Sequence, residues 1–232
     1  MNKEVSIILS TYNEVTVIEY TINEIFKNLD NVEIILVDDN STDDTFEIVI
    51  KMNNPNIKAY SRTTRGLASA FLLGLINSSS NIVGWLDSNM GILAERLPEM
   101  KNQLEKNDLV LLSRYVEGGS DQRSRVRILS SELINFFCRI ILSNKIKDYT
   151  SSIFLMKRDV LLSVVPISMG HGEFFIEFLY KAINTDKKII ELPYTHPPDV
   201  EGTSKTASSS LKFIVLGFNY LIRIFQSLLN RN

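Results

Sequence analysis

Carboxylates, amides and hydroxyls gather in four short stretches of this 232-residue chain, each directly behind an apolar run. They are Ser10-Thr11-Tyr12-Asn13-Glu14, Asp38-Asp39-Asn40-Ser41-Thr42-Asp43, Asp87-Ser88-Asn89 and Ser113-Arg114-Tyr115. Carboxylates brought together from three such places repel one another unless a cation or hydrogen-bond donors sit among them. A carboxylate accepts from a base N–H, and an acidic pair reaches a pyrophosphate only across a bridging Mg²⁺ or Mn²⁺. The set therefore suits a sugar nucleotide gripped by side chains. Backbone-gripped sites fail. Ser10 to Glu14 holds no glycine for a dinucleotide turn, and no Gly-Lys-Ser/Thr run exists for a phosphate loop.

The apolar runs in front of these stretches must be the strands that position them. Val5–Leu9, Ile34–Val37, Ile57–Tyr60, Ile82–Leu86 and Leu109–Leu112 read as strands buried on both faces. Helical patterns lie between them: Ile18, Ile22, Ile25, Phe26 and Leu29 share a face, as do Phe46, Val49 and Ile50, and 67–76 is helical. Alternation of strand and helix implies a parallel, helix-covered α/β sheet, whose ligands collect where strands end. After a turn at Glu117–Ser120 come a long helix over 126–142 in an arginine-rich segment, a strand at 152–156, a helix at 174–183 and a strand at 188–192. A polar loop spans 196–210. A last apolar helix over 211–229 carries Lys212, Asn219, Arg223 and Gln226 on one narrow face, as expected of an interfacial helix or of one docked on its own sheet.

Composition excludes several classes. At 44% hydrophobic and 22% charged residues the chain is an ordinary globular one. One cysteine and two histidines leave no disulfide framework and no Cys/His zinc cluster. A net charge of −2 argues against nucleic acid as a partner. The charge is uneven, however: residues 1–60 hold eleven acids against four lysines, while 202–232 hold four basic residues and no acid, and 121–147 six basic against two acidic. The start lacks a basic flank, apolar core and cleavage site, so a cytosolic start is expected.

The ordered set Ser10–Glu14, Val37–Asp43, Asp87–Asn89 and Ser113–Gly119 resembles the family-two glycosyltransferases, with a GT-A fold. Asp148-Tyr149-Thr150-Ser151-Ser152, the stretch from His171 to Glu177, and Gly202-Thr203-Ser204-Lys205-Thr206-Ala207 are similar to the dolichol-phosphate (polyprenol-phosphate) mannosyltransferase branch. The resemblance implies a mostly parallel Rossmann-like sheet flanked by helices, a transferase domain over 1–207 and an amphipathic, membrane-associated helix over 208–232. It implies an inverting hexosyl transfer, mannose from GDP-mannose to a polyprenyl phosphate, at the cytoplasmic face of a membrane. Ser10, Tyr12, Glu14, Asp38, Asp39, Asp87 and Ser88 would hold the nucleotide, and Asp87 and Asn89 the metal, Mg²⁺ or Mn²⁺. Arg114, Arg127, Ser131 and Lys205 would meet phosphates. The family pattern Asp-Ala-Asp with a following Gln stands here as Asp87-Ser88-Asn89-Met90-Gly91, which lowers the expected metal affinity. Thr-Ser-Gly-Phe-Arg stands as Thr150-Ser151-Ser152-Ile153-Phe154, and Gly-Glu-Ser-Lys as Gly202-Thr203-Ser204-Lys205.

Blander readings stand beside these. Asp38, Asp39 and Asp87 have the residue type of caps, Arg114 of an ion pair with a surface acid, and Arg127 and Ser131 of an exposed helix face. His171, His196 and Cys138 are read as structural. Two other functions stay open: a GT-A transferase with a UDP-sugar or a hydroxyl acceptor, and a non-catalytic protein that binds sugar nucleotide or lipid phosphate.

Overall fold

The computed structural model describes residues 3–164, 170, 172–198 and 210–230, with 210–216 as backbone. In chain order the elements are β1 (Val5–Thr11), α1 (Ile18–Asn28), β2 (Val32–Asp38), α2 (Thr45–Lys51), β3 (Ile57–Ser61), α3 (Leu67–Asn77) and β4 (Ile82–Trp85). A 3-10 turn at Gly91–Arg96 leads into α4 (Leu97–Gln103), β5 (Leu109–Ser113), β6 (Ser120–Asp121) and α5 (Arg125–Ile141). Then follow β7 (Phe154–Lys157), α6 (Val160–Ser163), α7 (Phe174–Ile183), β8 (Ile189–Pro193), β9 (Thr195–His196) and α8 (Ser210–Leu229).

Seven strands form one sheet in the order β3-β2-β1-β4-β7-β5-β8, and β6 pairs with β9 beside it. Every pair in the large sheet is parallel except those of β7, which runs antiparallel to both β4 and β5. The strand order reverses at β1 and β4, the place where an open α/β sheet leaves a crevice. Alternation along β1 sends Ile7 and Leu9 to one face and Ile8 to the other, and each face has its own core. On the first face Ile18, Ile22 and Ile25 of α1 pack with Leu97 and Met100. On the second, Phe71, Trp85, Phe154, Phe174, Phe175 and Phe178 form an aromatic cluster, with Phe71 edge-on to Trp85 at 5.4 Å. Gly74 lets α3 press on β1, since a Cβ there would lie 2.5 Å from Ile8 Cγ2. On α2 only Thr45 and Val49 are buried; Ile50, placed on one face with Phe46 and Val49 by its spacing, is exposed.

Glu33 is a buried carboxylate on β2, held at the sheet edge opposite the strand ends. Ser6 Oγ donates to it at 2.6 Å, Ser79 N at 2.9 Å, and Lys58 Nζ lies at 2.7 Å. Burial alone would raise its pKa, but Lys58 and the serine donors outweigh it and hold the group at about 2. A carboxylate held low stabilises the fold above its unfolded pKa, near 4.5, and that gain is lost as pH falls through the folded value. Glu33→Gln is expected to lower stability at pH 7 by on the order of 3 kcal/mol and to flatten the acid limb between pH 4.5 and 2 in denaturant melts. An unchanged acid limb would rule this out.

Helix α8 packs on α5 and α7. Ile224 and Ser227 are fully buried, and Arg223 Nη1 meets the buried Glu177 Oε2 at 3.1 Å. The opposite side of α8 stays apolar and exposed at Phe218, Ile222, Phe225 and Leu229. Among the described residues no helix is long and apolar enough to cross a membrane. The boundary expected at 207/208 lies outside the described residues.

Candidate active site

The carboxyl ends of the strands border a cleft of about 1550 Å³. A single small ligand fills roughly 300–1,000 Å³, so two substrates fit. Ser10, Tyr12 and Glu14 line it behind β1, and Asp39 behind β2. Arg65 lies over the Tyr12 ring, its guanidinium carbon 3.5 Å from the centroid. Asp39 accepts from Arg62 Nε at 2.6 Å and from Gly66 N at 2.9 Å, so the loop after β3 is tied to the end of β2. Asp38, also expected at the nucleotide, sits differently. The pleat turns it away from Asp39, and it accepts from Thr11 Oγ1 and Ser41 N, each at 2.9 Å; it ties the end of β1 to the loop after β2 and does not border the cleft.

Asp87, Ser88 and Asn89 line the cleft behind β4. The aromatic core aims Asp87: the Trp85 indole N–H donates to its Oδ1 at 3.1 Å, and Ser152 Oγ donates to Oδ2. Thr21 Oγ1 donates to the Ser88 carbonyl at 2.6 Å, which anchors the turn to α1. Asn89 is exposed. Among the described residues no three His, Cys, Asp or Glu side chains are close enough to cage a metal ion. One carboxylate and one amide oxygen are hard ligands, however, and Mg²⁺ is commonly held by one or two carboxylates with substrate phosphates completing the shell. The residues fit a cation shared with a nucleotide.

Arg114, expected to meet phosphate, lines the cleft too. Its fork closes on Asp148, Nε to Oδ2 at 2.8 Å and Nη2 to Oδ1 at 2.7 Å, and its other donors reach Thr150 Oγ1 at 2.6 Å and Asp121 Oδ2 at 3.3 Å. Burial works against the charge, but Asp148 outweighs it and holds the guanidinium charged well above its ordinary range; burial likewise opposes the Asp148 charge, and Arg114 keeps that carboxyl low. With those donors engaged, Arg114 braces the wall of the cleft. Gly119 closes the loop behind it, because a Cβ there would sit 2.7 Å from the carbonyl oxygens of both Ser113 and Arg114. Thr150 Oγ1 continues the network to Ser131 Oγ at 3.0 Å and Asn135 Nδ2 at 2.8 Å, so Ser131 too is engaged by protein.

The far wall is made by two helices. Arg127, Ile134 and Phe137 of α5 and Phe218, Tyr220 and Leu221 of α8 line the cleft, and Arg123 enters beside them. Outside the cleft the same helices show solvent an apolar stripe. On α5 it runs Val126, Leu129, Phe136 and Ile140, from 48% exposed at Phe136 to 66% at Ile140, and it meets the cleft at Leu133. Lys205 and the surrounding Gly202–Ala207 stretch lie outside the described residues, as does His171.

The model of the glycosyl transferase family 2 matches residues 6–164, well over half of the chain. The chain belongs to this family. It is 29% identical to a dolichol-phosphate mannosyltransferase of Pyrococcus furiosus, over 96% of this chain and 63% of that protein. It is 27% identical to a polyprenol monophosphomannose synthase of Mycolicibacterium smegmatis, over 89% of this chain and 82% of that one. The chain thus spans less than two thirds of the first of these relatives. Among solved structures, glucosyl-3-phosphoglycerate synthase from Mycobacterium tuberculosis, in complex with Mn²⁺, uridine diphosphate and phosphoglyceric acid, superposes with a TM-score of 0.74 at 19% identity, covering 97% of this chain and 78% of that one. The fold is GT-A.

Several residues of this glycosyltransferase site carry no role in the sequence reading. Asp148, Thr150 and Ser152 sit in a motif whose spacing was visible, and an invariably charged arginine behind a buried strand calls for a buried acid. Arg65 and Arg123 lie in loops with no periodic signal. His196 reaches the cleft only through the pairing of β6 with β9.

Proposed function

We propose that this glycosyltransferase moves a hexose, mannose from GDP-mannose, to a polyprenyl phosphate at a membrane surface, with inversion. The observation that carries this is the division of one cleft into two chemistries. A rim of Tyr12, Glu14, Asp39, Asp87 and Asn89 suits a nucleotide diphosphate, while α5 and α8 offer an apolar wall continuous with exposed apolar stripes. A lipid phosphate presented by a bilayer would meet its donor between them, and Arg123 and Arg127 supply basic groups there. The relatives named dolichol-phosphate mannosyltransferase and polyprenol monophosphomannose synthase support the same acceptor class.

The acceptor's phosphate oxygen attacks the anomeric carbon; the bond from that carbon to the nucleoside diphosphate breaks, and the diphosphate leaves with the electron pair. That nucleophile is anionic near neutral pH, so no strong base is required. Asp87 and Asn89 would hold a Mg²⁺ or Mn²⁺ ion that neutralises charge on the departing diphosphate. Tyr12 and Asp39 orient the nucleotide, and Arg127 and Lys205 offset the negative charge of the two phosphates.

Labelled GDP-mannose, incubated with the protein and vesicles containing polyprenyl phosphate, is expected to give a lipid-linked sugar that needs Mg²⁺ or Mn²⁺. Product only from UDP-sugars would replace the donor, and no lipid product from any donor and metal would end the reading. Asn89→Asp restores the second carboxylate and is expected to tighten Mn²⁺ binding in the presence of GDP by on the order of tenfold.

A further inference from the structure

His196 has no part in the chemistry above, yet it stands on the cleft wall. Strand β9 pairs with β6 in parallel, setting His196 opposite Asp121, and Gln122 N donates to the His196 carbonyl at 3.0 Å. The imidazole Nδ1 lies 2.8 Å from the Pro197 carbonyl oxygen. A carbonyl only accepts, so Nδ1 carries the proton, and Nε2 of the neutral ring is a bare acceptor. Nε2 has no protein partner among the described residues.

The charged and titratable groups around the ring come from four elements. Arg114 follows β5, Asp121 and Arg123 belong to β6 and the turn after it, Tyr194 precedes β9 with its ring 6.0 Å away, and Arg127 lies on α5 along the same cleft. Burial pushes the imidazole below its ordinary value; the Pro197 carbonyl and Asp121 pull the other way, and Arg123 and Arg114 add to the depression. The ring is therefore neutral at pH 7 while the cleft holds no anion. A phosphate beside Nε2 reverses that balance, because the imidazolium gains an opposite charge and a charge-assisted hydrogen bond.

We propose that His196 Nε2 takes up a proton as a phosphate group enters the cleft and donates it in a hydrogen bond to a phosphate oxygen. The proton comes from the buffer, and no bond of the phosphate is made or broken. Arg123 and Arg127 line the same wall, and Asp121 fixes Arg123 through its Nε at 2.9 Å and Nη2 at 2.6 Å. The chemistry is that of a phosphate monoester or of a diphosphate end. The proposal depends on the transferase reading only for which of these arrives.

The sign follows from linkage. A histidine whose pKa rises on binding strengthens the complex at low pH and loses that gain as pH climbs through the bound-state value. Inorganic sulfate keeps its charge between pH 6 and 8 and is the probe for calorimetric titration of the full chain. Wild-type affinity is expected to weaken by up to about tenfold per pH unit over part of that range, with proton uptake shown by repeating the titration in two buffers of different ionisation enthalpy. His196→Gln, with an unchanged thermal midpoint, is expected to remove both the slope and the uptake. Geranyl phosphate and GDP are then titrated against both proteins: a difference confined to geranyl phosphate assigns the contact to the acceptor, one confined to GDP assigns it to the donor, and either supports the proposal. The same slope in both proteins overturns it, as does wild-type binding without proton uptake, or no binding of any of the three. Weaker Mn²⁺ binding in His196→Gln, read by electron paramagnetic resonance, also overturns it by making the imidazole a cation ligand. Absence of lipid product in the transfer assay leaves the sulfate result standing.

Discussion

Asp87→Asn is expected to lower sugar transfer by about 10²–10³-fold while moving the thermal midpoint by no more than about 2 °C. Asp87 is the single carboxylate of the Asp-Ser-Asn turn, and both its oxygens are oriented, one by the Trp85 indole and one by the Ser152 hydroxyl. Asparagine keeps the shape and an acceptor for Trp85, so what disappears is the negative charge that a cation beside a departing diphosphate requires. The Ser152 hydroxyl rotates to accept from the new amide. Steady-state rates at saturating donor, with melting curves as the control, decide it. Turnover within tenfold of wild type would mean that Asp87 only braces the turn.

The largest stability effect is expected at a residue that no substrate touches. Asp148→Ala leaves the buried Arg114 guanidinium with only the longer Asp121 ion pair in place of its bidentate partner, which costs about 3–5 kcal/mol. In a domain of this size that corresponds to a fall of roughly 10 °C in the thermal midpoint. The loss should be larger at pH 7 than in acid. Asp148 is held below the ordinary carboxylate range, so its contribution is complete above the unfolded pKa and declines as pH falls through the folded one. Joint replacement of Arg114 by Met and Asp148 by Leu, which removes both charges, is expected to recover part of the stability. A midpoint within 3 °C of wild type for Asp148→Ala would show that water reaches the pair.

The parallel half of this protein was readable because its strands are buried on both faces, so that Val-Ser-Ile-Ile-Leu and Val-Glu-Ile-Ile-Leu-Val stand out as near-continuous apolar runs. Helix α7 begins and ends where its periodicity does. Strand direction was not readable: Phe154 to Met156 look the same whether β7 runs with its neighbours or against them, and only the pairing with β4 and β5 decides. Site residues divide the same way. Tyr12, Glu14, Asp39 and Asp87 end strands on the side where ligands collect, so position and residue type agree. Asp38 and Arg114 have equally suitable chemistry, and what engages their side chains is a neighbour distant in sequence, Thr11 for one and Asp148 for the other, Asp38 off the cleft and Arg114 in its wall. Such partners leave no periodic trace.

The reversed strand β7 has a consequence for the order in which the molecule is assembled. Its neighbours β4 and β5 are complete by Ser113, yet they never touch each other in the sheet, and the slot between them waits for Phe154–Lys157. A chain emerging from the ribosome can pair β1, β2 and β3 early, because those strands follow one another closely in sequence. It cannot join the nucleotide half to the rest until more than forty further residues have been made, α5 among them. Closing loops of that length before any contact rewards them is slow. Because Thr150 and Ser152 lie at the rim just ahead of that strand, the joining of β4 to β5 and the delivery of partners to Arg114 and Asp87 are a single step in folding, with β8 and the α8 wall added after it.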